Sequence, residues 1–278
     1  MDLFSNLEKM GITGLENMDI FESPASMPKT AAEVKKQAIV KPDEADMVFE
    51  KTVNCVVCGK AFKSLTVKSG KARIIARDKD LRPIFDGFEA SKYDVISCPY
   101  CGFSALTRYF TPLATVQKKL VLEKISSHVK PFDVHNTKID YEEALSRYEL
   151  ALVNSVVKMS KLSERAYTCL KIGWLYRGYA VEMKEAQVAD DSVITELEKK
   201  EDAFLKKAYE GLTKAVLEEE FPMCGMDEYT VDYILAALAM RFGDDSVAKK
   251  LVSEILVSKS ASAGIKDKAR DLKEELIK

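Results

Sequence analysis

The pattern of apolar and polar positions changes character along this chain. From residue 48 to about 105 the apolar residues fall in short β-prone runs: VFEKTVNCVVC, Leu65-Thr66-Val67, Ala72-Arg73-Ile74-Ile75 and Tyr93-Asp94-Val95-Ile96-Ser97. β-Branched and aromatic residues suit a pleated surface, and Ser69-Gly70 between the second and third runs reads as a turn. The expected picture is two hairpins facing each other. From about residue 112 the period becomes helical, and Pro112 suits a first helical turn. Tyr141, Leu145, Tyr148, Leu152 and Val156 share one helical face. Tyr167, Leu170, Trp174 and Leu175 share another, and Leu205, Tyr209, Leu212 and Val216 a third. Tyr233, Leu238 and Phe242 continue until Gly243-Asp244-Asp245, after which Val247, Leu251 and Leu256 resume. These are amphipathic helices in hairpin pairs.

Residues 1–47 follow neither period. Phe4, Leu7 and Met10 could line a short helix ended by Gly11 and Gly14, and Met18, Ile20 and Phe21 form a second apolar patch before Pro24. The stretch PASMPKTAAEVKKQAIVKPDEAD that follows has linker composition. The segment reads as a flexible tail; the alternative is a docking segment that folds on a partner or back onto the body. The expected organisation is a tail (1–47), a small β module (48–110) and a helical domain (111–278). The fold class is α+β, mostly α.

The helices carry a repeat-like signature. Asp140-Tyr141-Glu142-Glu143-Ala144-Leu145, Tyr148 and Ala151-Leu152 resemble the second helix of a tetratricopeptide repeat. Ile172-Gly173 and Tyr176 resemble the first helix of another, and Ala236, Gly243-Asp244 and Ala248 match a third. The segment from Lys184 to Glu201 looks like an extension. A plain helical bundle is the competing reading.

Six cysteines change the picture of the β module. Cys55-Val56-Val57-Cys58-Gly59 and Cys98-Pro99-Tyr100-Cys101-Gly102 are both CxxCG. Two intervening residues let both sulfurs reach one ion at about 2.3 Å, and the following glycine permits a turn costly to other residues. Cys55, Cys58, Cys98 and Cys101 therefore make a candidate S4 site of the kind that suits structural zinc. Four thiolates leave no open position, so the site does not read as catalytic. The rivals are a thioredoxin-like redox pair and an iron–sulfur cluster. His128 and His135, separated by Pro131, do not form a metal box. Cys169 and Cys224 read as buried small hydrophobes.

Charge adds one more candidate. The chain of 278 residues has net charge -2, so no whole-molecule field favours nucleic acid. Locally, residues 1–50 carry -5, residues 51–110 carry +6, and the remainder -3. Lys60, Lys63, Lys68, Lys71, Arg73 and Arg77 lie in a basic stretch, continued by Lys79 and Arg82 and flanked by Phe62 and Phe85. Such a ribbon beside a zinc knuckle can bind phosphates; the plainer reading is a solvated hairpin that meets the acidic terminal segments. No apolar run approaches the roughly 20 residues of a membrane span. The opening MDLFSNLEKMGITG lacks the form of a signal peptide, which makes a cytoplasmic protein the expectation.

Taken together, CxxCG, KSGKARIIARDKD, YDVISCPYCGFSA and the closing RFGDDSVAKKLVSEIL resemble the bacterial domain-of-unknown-function 2225 family over residues 48–278. That resemblance implies a bacterial cytoplasmic protein with a zinc-ribbon-like module fused to helical repeats, and no assigned activity. The sequence contains no Walker A, GxGxxG, HExxH or GxSxG motif. A site assembled from distant residues would leave no such mark, so an enzymatic role stays open. The leading expectation is a non-enzymatic zinc-binding adaptor that takes a protein or peptide on its helices. Nucleic-acid binding and thiol-based redox or metal sensing are the alternatives.

Overall fold

The computed structural model describes residues 44–132 and 137–277. Of the expected tail (1–47), residues 1–43 lie outside them; Glu44–Met47 form a 3-10 turn held by Lys92 and Lys68 and belong to the β module. Three two-stranded antiparallel sheets come first. β1 (Val48–Asn54) pairs with β2 (Ala61–Val67), from Val48↔Val67 to Asn54↔Ala61. β3 (Ile74–Arg77) pairs with β4 (Pro83–Phe85), and β5 (Val95–Ser97) with β6 (Ser104–Leu106). The first and third sheets are the two expected hairpins, each with a CxxC at its tip. The Ser69-Gly70 turn differs from expectation: it joins two sheets and does not close a hairpin. β2 has already folded back on β1, because the knuckle between them makes the tighter turn, so β3 takes β4 as partner.

Helices follow: α1 (Thr115–Val121), which runs into one π turn (Leu122–Ser126), α2 (Tyr141–Val157), α3 (Leu162–Ala186), α4 (Asp191–Glu218), α5 (Glu228–Arg241), α6 (Asp245–Val257) and α7 (Ala263–Glu275). Pro112 precedes the first helix and does not sit in its first turn. Side-chain caps set several starts. Asp140, Asp190 and Asp227 accept from the backbone N–H three residues on, at 2.8, 3.0 and 2.7 Å, satisfying donors that a helix start leaves unpaired. The segment expected to be an extension, Lys184 to Glu201, holds the last residues of α3, the corner at Gln187 (φ 53°) and the first three turns of α4. α7 escaped the sequence reading because only Ile265, Ala269, Leu272 and Leu276 mark its inner face.

α2 is the pivot. Its sequence has the period of an amphipathic helix, yet every residue from Ala144 to Val157 is buried, because β5 and β6 cover the side that α3 does not. Its polar residues are accordingly partnered: Arg147 with Glu143 at 2.5 Å, Glu149 with the Tyr176 hydroxyl at 3.0 Å, Ser155 with Leu152 O at 2.7 Å. One apolar core runs from Val48 through Phe103, Tyr148, Leu170 and Phe204 to Leu272.

A buried ion network ties strands to helices. Arg177 of α3 reaches Asp78 (2.8 Å), Asp80 (2.6 Å) and Glu201 (2.8 Å). Arg82 pairs with Glu89 at 2.9 Å. Gly178 makes room for it: a Cβ there would lie 2.7 Å from Arg82 Nη2 and 2.8 Å from the Tyr141 hydroxyl oxygen. Burial opposes charge on Asp80, but hydrogen bonds and the positive charge of Arg177 outweigh it, so its carboxyl lies below the usual range. A depressed folded pKa means that this stability is present above the ordinary carboxylate pKa and is lost as pH falls through the folded value. Arg177→Met takes the cation from buried Asp80, while Asp78 keeps Arg82 at 3.3 Å and Glu201 keeps Arg241 at 2.7 Å, and should cost about 3–5 kcal/mol in urea unfolding. With the cation gone burial dominates at Asp80, so acidification from pH 7 to 5 should narrow the gap to wild type.

Candidate metal centre

The two knuckles are built alike. Cys55 N–H donates to Lys60 O (2.9 Å) and Gly59 N–H to Cys55 O (2.9 Å); Cys98 N–H donates to Phe103 O (2.8 Å) and Gly102 N–H to Cys98 O (2.9 Å). Gly59 and Gly102 take φ 76° and 68°, the left-handed conformation expected of a glycine there. Their surroundings differ. Nothing lies within 4 Å of a Cβ built on Gly59, whereas one on Gly102 would meet Val129 Cγ2 at 2.6 Å. The first knuckle faces outward and the second is pressed onto the helical part.

Four sulfurs converge between the tips. Cys55 and Cys101 are 3.6 Å apart, Cys58 and Cys98 3.7 Å, and all four lie within 4.8 Å of one another. Sulfurs at about 2.3 Å from one ion in a tetrahedron stand about 3.8 Å apart, so the donor set fits a tetrahedral metal. None of the six cysteines is in a disulfide. The two short contacts run from knuckle to knuckle. The charge balance points the same way. Cys55 is lowered to about 2, as Cys101 and Cys98 donate to its sulfur, while those contacts and burial push Cys101 far above the ordinary thiol range. One thiolate thus suppresses its neighbours, and a divalent cation relieves that conflict. The Val57 N–H, 3.4 Å from Cys55 Sγ, adds a backbone donor.

Two residues that the sequence reading passed over hold the second knuckle. Ser126 Oγ donates to Cys101 O at 2.8 Å, and Asn154 Nδ2 to Gly102 O at 2.9 Å. Asn154 did leave a signal: an amide in the apolar run LALVNSVV of a buried helix needs a partner. Further along the same seam the Tyr148 hydroxyl donates to Ser91 O at 2.8 Å, and Lys171 pairs with Asp94.

Residues 48–276 match the family described as an uncharacterized protein conserved in bacteria, DUF2225. The chain belongs to that family. No curated protein and no solved structure matches it significantly. The DUF2225 match starts at the first residue of β1 and runs past the end of α7, so it takes in every strand and α-helix described. The end of KSGKARIIARDKD proves structural in part: its two acids, Asp78 and Asp80, are both bound by Arg177.

The basic stretch is spread over different parts of the β module. Lys60 lies over the Tyr100 ring at 4.8 Å, and Lys68 Nζ donates to Asp46 O at 2.9 Å. Arg77 donates to Leu81 O at 3.2 Å, and Arg73 stands 3.8 Å from Asp86. Lys63 and Lys71 are exposed. Lys79 pairs with Glu275 of α7 but stays exposed, whereas Arg82 is buried, so one of the charges is withdrawn into the fold.

Among the other candidates, His128 is exposed with Nδ1 2.9 Å from Ser127 Oγ, and His135 lies outside the described residues. Cys169 is fully buried, which raises its thiol well above the ordinary range. Cys224 lines a surface cavity of about 330 Å³ with Tyr109, Ser163 and Glu219. Its thiol donates to Ser163 O at 3.2 Å, and burial raises it too. Both are poor nucleophiles at neutral pH. An alkylating reagent at pH 7 should reach Cys224 slowly and Cys169 only on unfolding, read by mass spectrometry of the labelled peptides; rapid native labelling of Cys169 would contradict its burial.

Proposed function

We propose that this chain is a non-enzymatic zinc-stapled scaffold that binds a protein or peptide on its helices. The observation that carries the zinc assignment is the closed set of four sulfurs, Cys55, Cys58, Cys98 and Cys101, at near-tetrahedral separations. Hard cations prefer oxygen, and an all-sulfur tetrahedral set suits zinc. Such a set leaves no position for water or substrate, which supports a structural role for the ion. The link from Cys101 and Gly102 to Ser126 and Asn154 extends that role into the helices. The helical reading rests on consecutive helices joined by short corners, four residues between α3 and α4 and three between α5 and α6. Paired helices stacked in this way form the surfaces that tetratricopeptide-like proteins offer to extended ligands. A cytoplasmic location agrees with four reduced thiols, and no helix among the described residues is long and apolar enough to cross a membrane.

Metal analysis of the purified chain should find one zinc per chain and no visible iron–sulfur absorption. Cys98→Ser should lose the metal and the protease resistance of residues 48–106. Ser126→Ala keeps all four thiols and should weaken zinc retention against a competing chelator by about 10-fold. A folded, fully metallated Cys98→Ser protein would overturn the assignment. The partner is tested by cross-linking in nuclease-treated host lysate. Recovered proteins should be lost when the exposed Leu217 and Val257 are changed to Lys. Recovery that needs nucleic acid, and fails with Lys63→Glu and Lys71→Glu, would move the function to the basic stretch.

A further inference from the structure

Buried charges in this fold come with partners. Lys92 has Glu44 at 2.8 Å, Arg147 has Glu143 at 2.5 Å and Lys158 has Glu164 at 2.8 Å, beside the Arg177 network. Asp232 of α5 is the exception. It keeps 8% of its surface, and among the described residues no donor or cation bonds its carboxylate. A buried carboxylate left in that state is costly, and an aspartate between Val231 and Tyr233 does nothing for the helix to offset it. Its surroundings deepen the conflict. Burial, and then the charges of Glu228, Glu254 and Asp227, push its carboxyl up to about 6. The side chains that act on it are all acids.

The helices explain how they gather. Glu228 stands four positions before Asp232 on α5, one turn away on the same face. α6 packs along α5 and brings Glu254 into reach of the same carboxyl. Glu228 and Glu254 are exposed, so one carboxylate lies deep and two stand at the surface. Glu254 has Lys250 at 3.9 Å, with both side chains largely exposed, a pair worth little. Asp227 already caps α5, accepting from the Thr230 N–H at 2.7 Å. Three positions past Glu254, and so its neighbour on α6, Val257 is 81% exposed. Apolar surface therefore adjoins the acids.

This arrangement selects its ligand. Calcium takes six to eight oxygens and magnesium a strict octahedron, and one deep carboxylate with separate exposed ones does not form such a cage. What fits is a cationic head on a long apolar stem, able to pass the exposed acids and reach Asp232. Arginine and lysine side chains have that form, and a guanidinium can serve two carboxylates at once. Their stems cover apolar surface while the head is held by charge.

We propose that the α5–α6 face binds an arginine or lysine side chain of a peptide ligand, its cationic head on Asp232 between Glu228 and Glu254. The inference rests on the scaffold reading above for the existence of a peptide partner and gives that partner its chemistry: a basic residue next to an apolar one that lies on Val257.

Two pentapeptides test it on the full metal-loaded chain: acetyl-Ala-Leu-Arg-Leu-Ala-amide, and the same peptide with citrulline, a neutral isostere, in place of arginine. Titration is followed by the NMR shifts of α5 and α6 amides. At pH 7 the arginine peptide should bind about tenfold more tightly. Asp232→Asn keeps the shape of the side chain and removes an unpaired buried charge, so it should resist urea at least as well as wild type while losing the preference. Glu254→Gln, at an exposed position, should reduce the preference about threefold. Equal affinity for the two peptides would overturn the proposal, as would a preference that survives Asp232→Asn. Saturable shifts of the same amides with Ca2+ or Mg2+, and none with the arginine peptide, would make this a metal site and equally overturn it. Capture from host lysate separates the inference from the scaffold reading. Proteins recovered equally by wild type and Asp232→Asn would leave the scaffold standing and overturn the basic anchor. Recovery of none by either would overturn the scaffold, with the pentapeptides still deciding the site.

Discussion

Four cysteine sulfurs gathered within 4.8 Å cannot all carry charge unaided, and much of the β module follows from that constraint. The strands are short, with three residues in each of β5 and β6, and three separate two-stranded sheets offer little cross-strand support. A hairpin of that size is marginal in water. Its tips are nonetheless well defined, because each knuckle repeats the same pair of backbone bonds around a left-handed glycine. The geometry is thus prepared by the backbone, and the electrostatic conflict among the thiols is left for a cation. Apparent free energies of about 10–16 kcal/mol at small zinc sites are large compared with anything these strands supply alone.

The seam between strands and helices is polar to an unusual degree for a continuous core. Arg177, Asp78, Asp80 and Glu201 form one cluster, and Asp78 joins it to Arg82 and Glu89 against Gly178. Buried ion pairs are weak devices for stability, since desolvation offsets most of the attraction. They are strong devices for orientation, because a guanidinium fork accepts few geometries. Apolar packing alone would let the small β module slide on α2 and α3. The Arg177 cluster, the Asn154–Gly102 bond and the Tyr148–Ser91 bond fix its position at three places.

The parts legible from sequence were those with a local signature. CxxCG states its turn, its ligands and its spacing within five residues, so both knuckles and their convergence could be read in advance. The periodic faces of α2 to α6 could be read for the same reason. What stayed hidden was relational. α2 has the period of an amphipathic helix, but its polar residues find partners 3 to 57 residues away, and no period reports that. The basic stretch looked like one ribbon because strand pairing, which splits it between two sheets, depends on where β2 turns. Arg177 stands 99 and 97 positions from Asp78 and Asp80. α7 is so charged that its four apolar contacts fall below any run that the eye selects.

The asymmetry between the knuckles bears on what the metal centre could transmit. Gly59 stands open, whereas Gly102 is wedged on Val129, and among the described residues the second knuckle is the one that bonds to the helical part, through Ser126 and Asn154. An ion shared by both therefore joins an outward-facing hairpin to the central helix. Movement at β1–β2 that strained Cys55 or Cys58 would be felt at Cys98 and Cys101 through the common ion, and from there at α2. The reverse path runs from α2 to the same hairpin. A cluster placed wholly within either part could stiffen that part but could not couple the two. Its position at the junction is what lets one ion, held there, tie the hairpin to the helices.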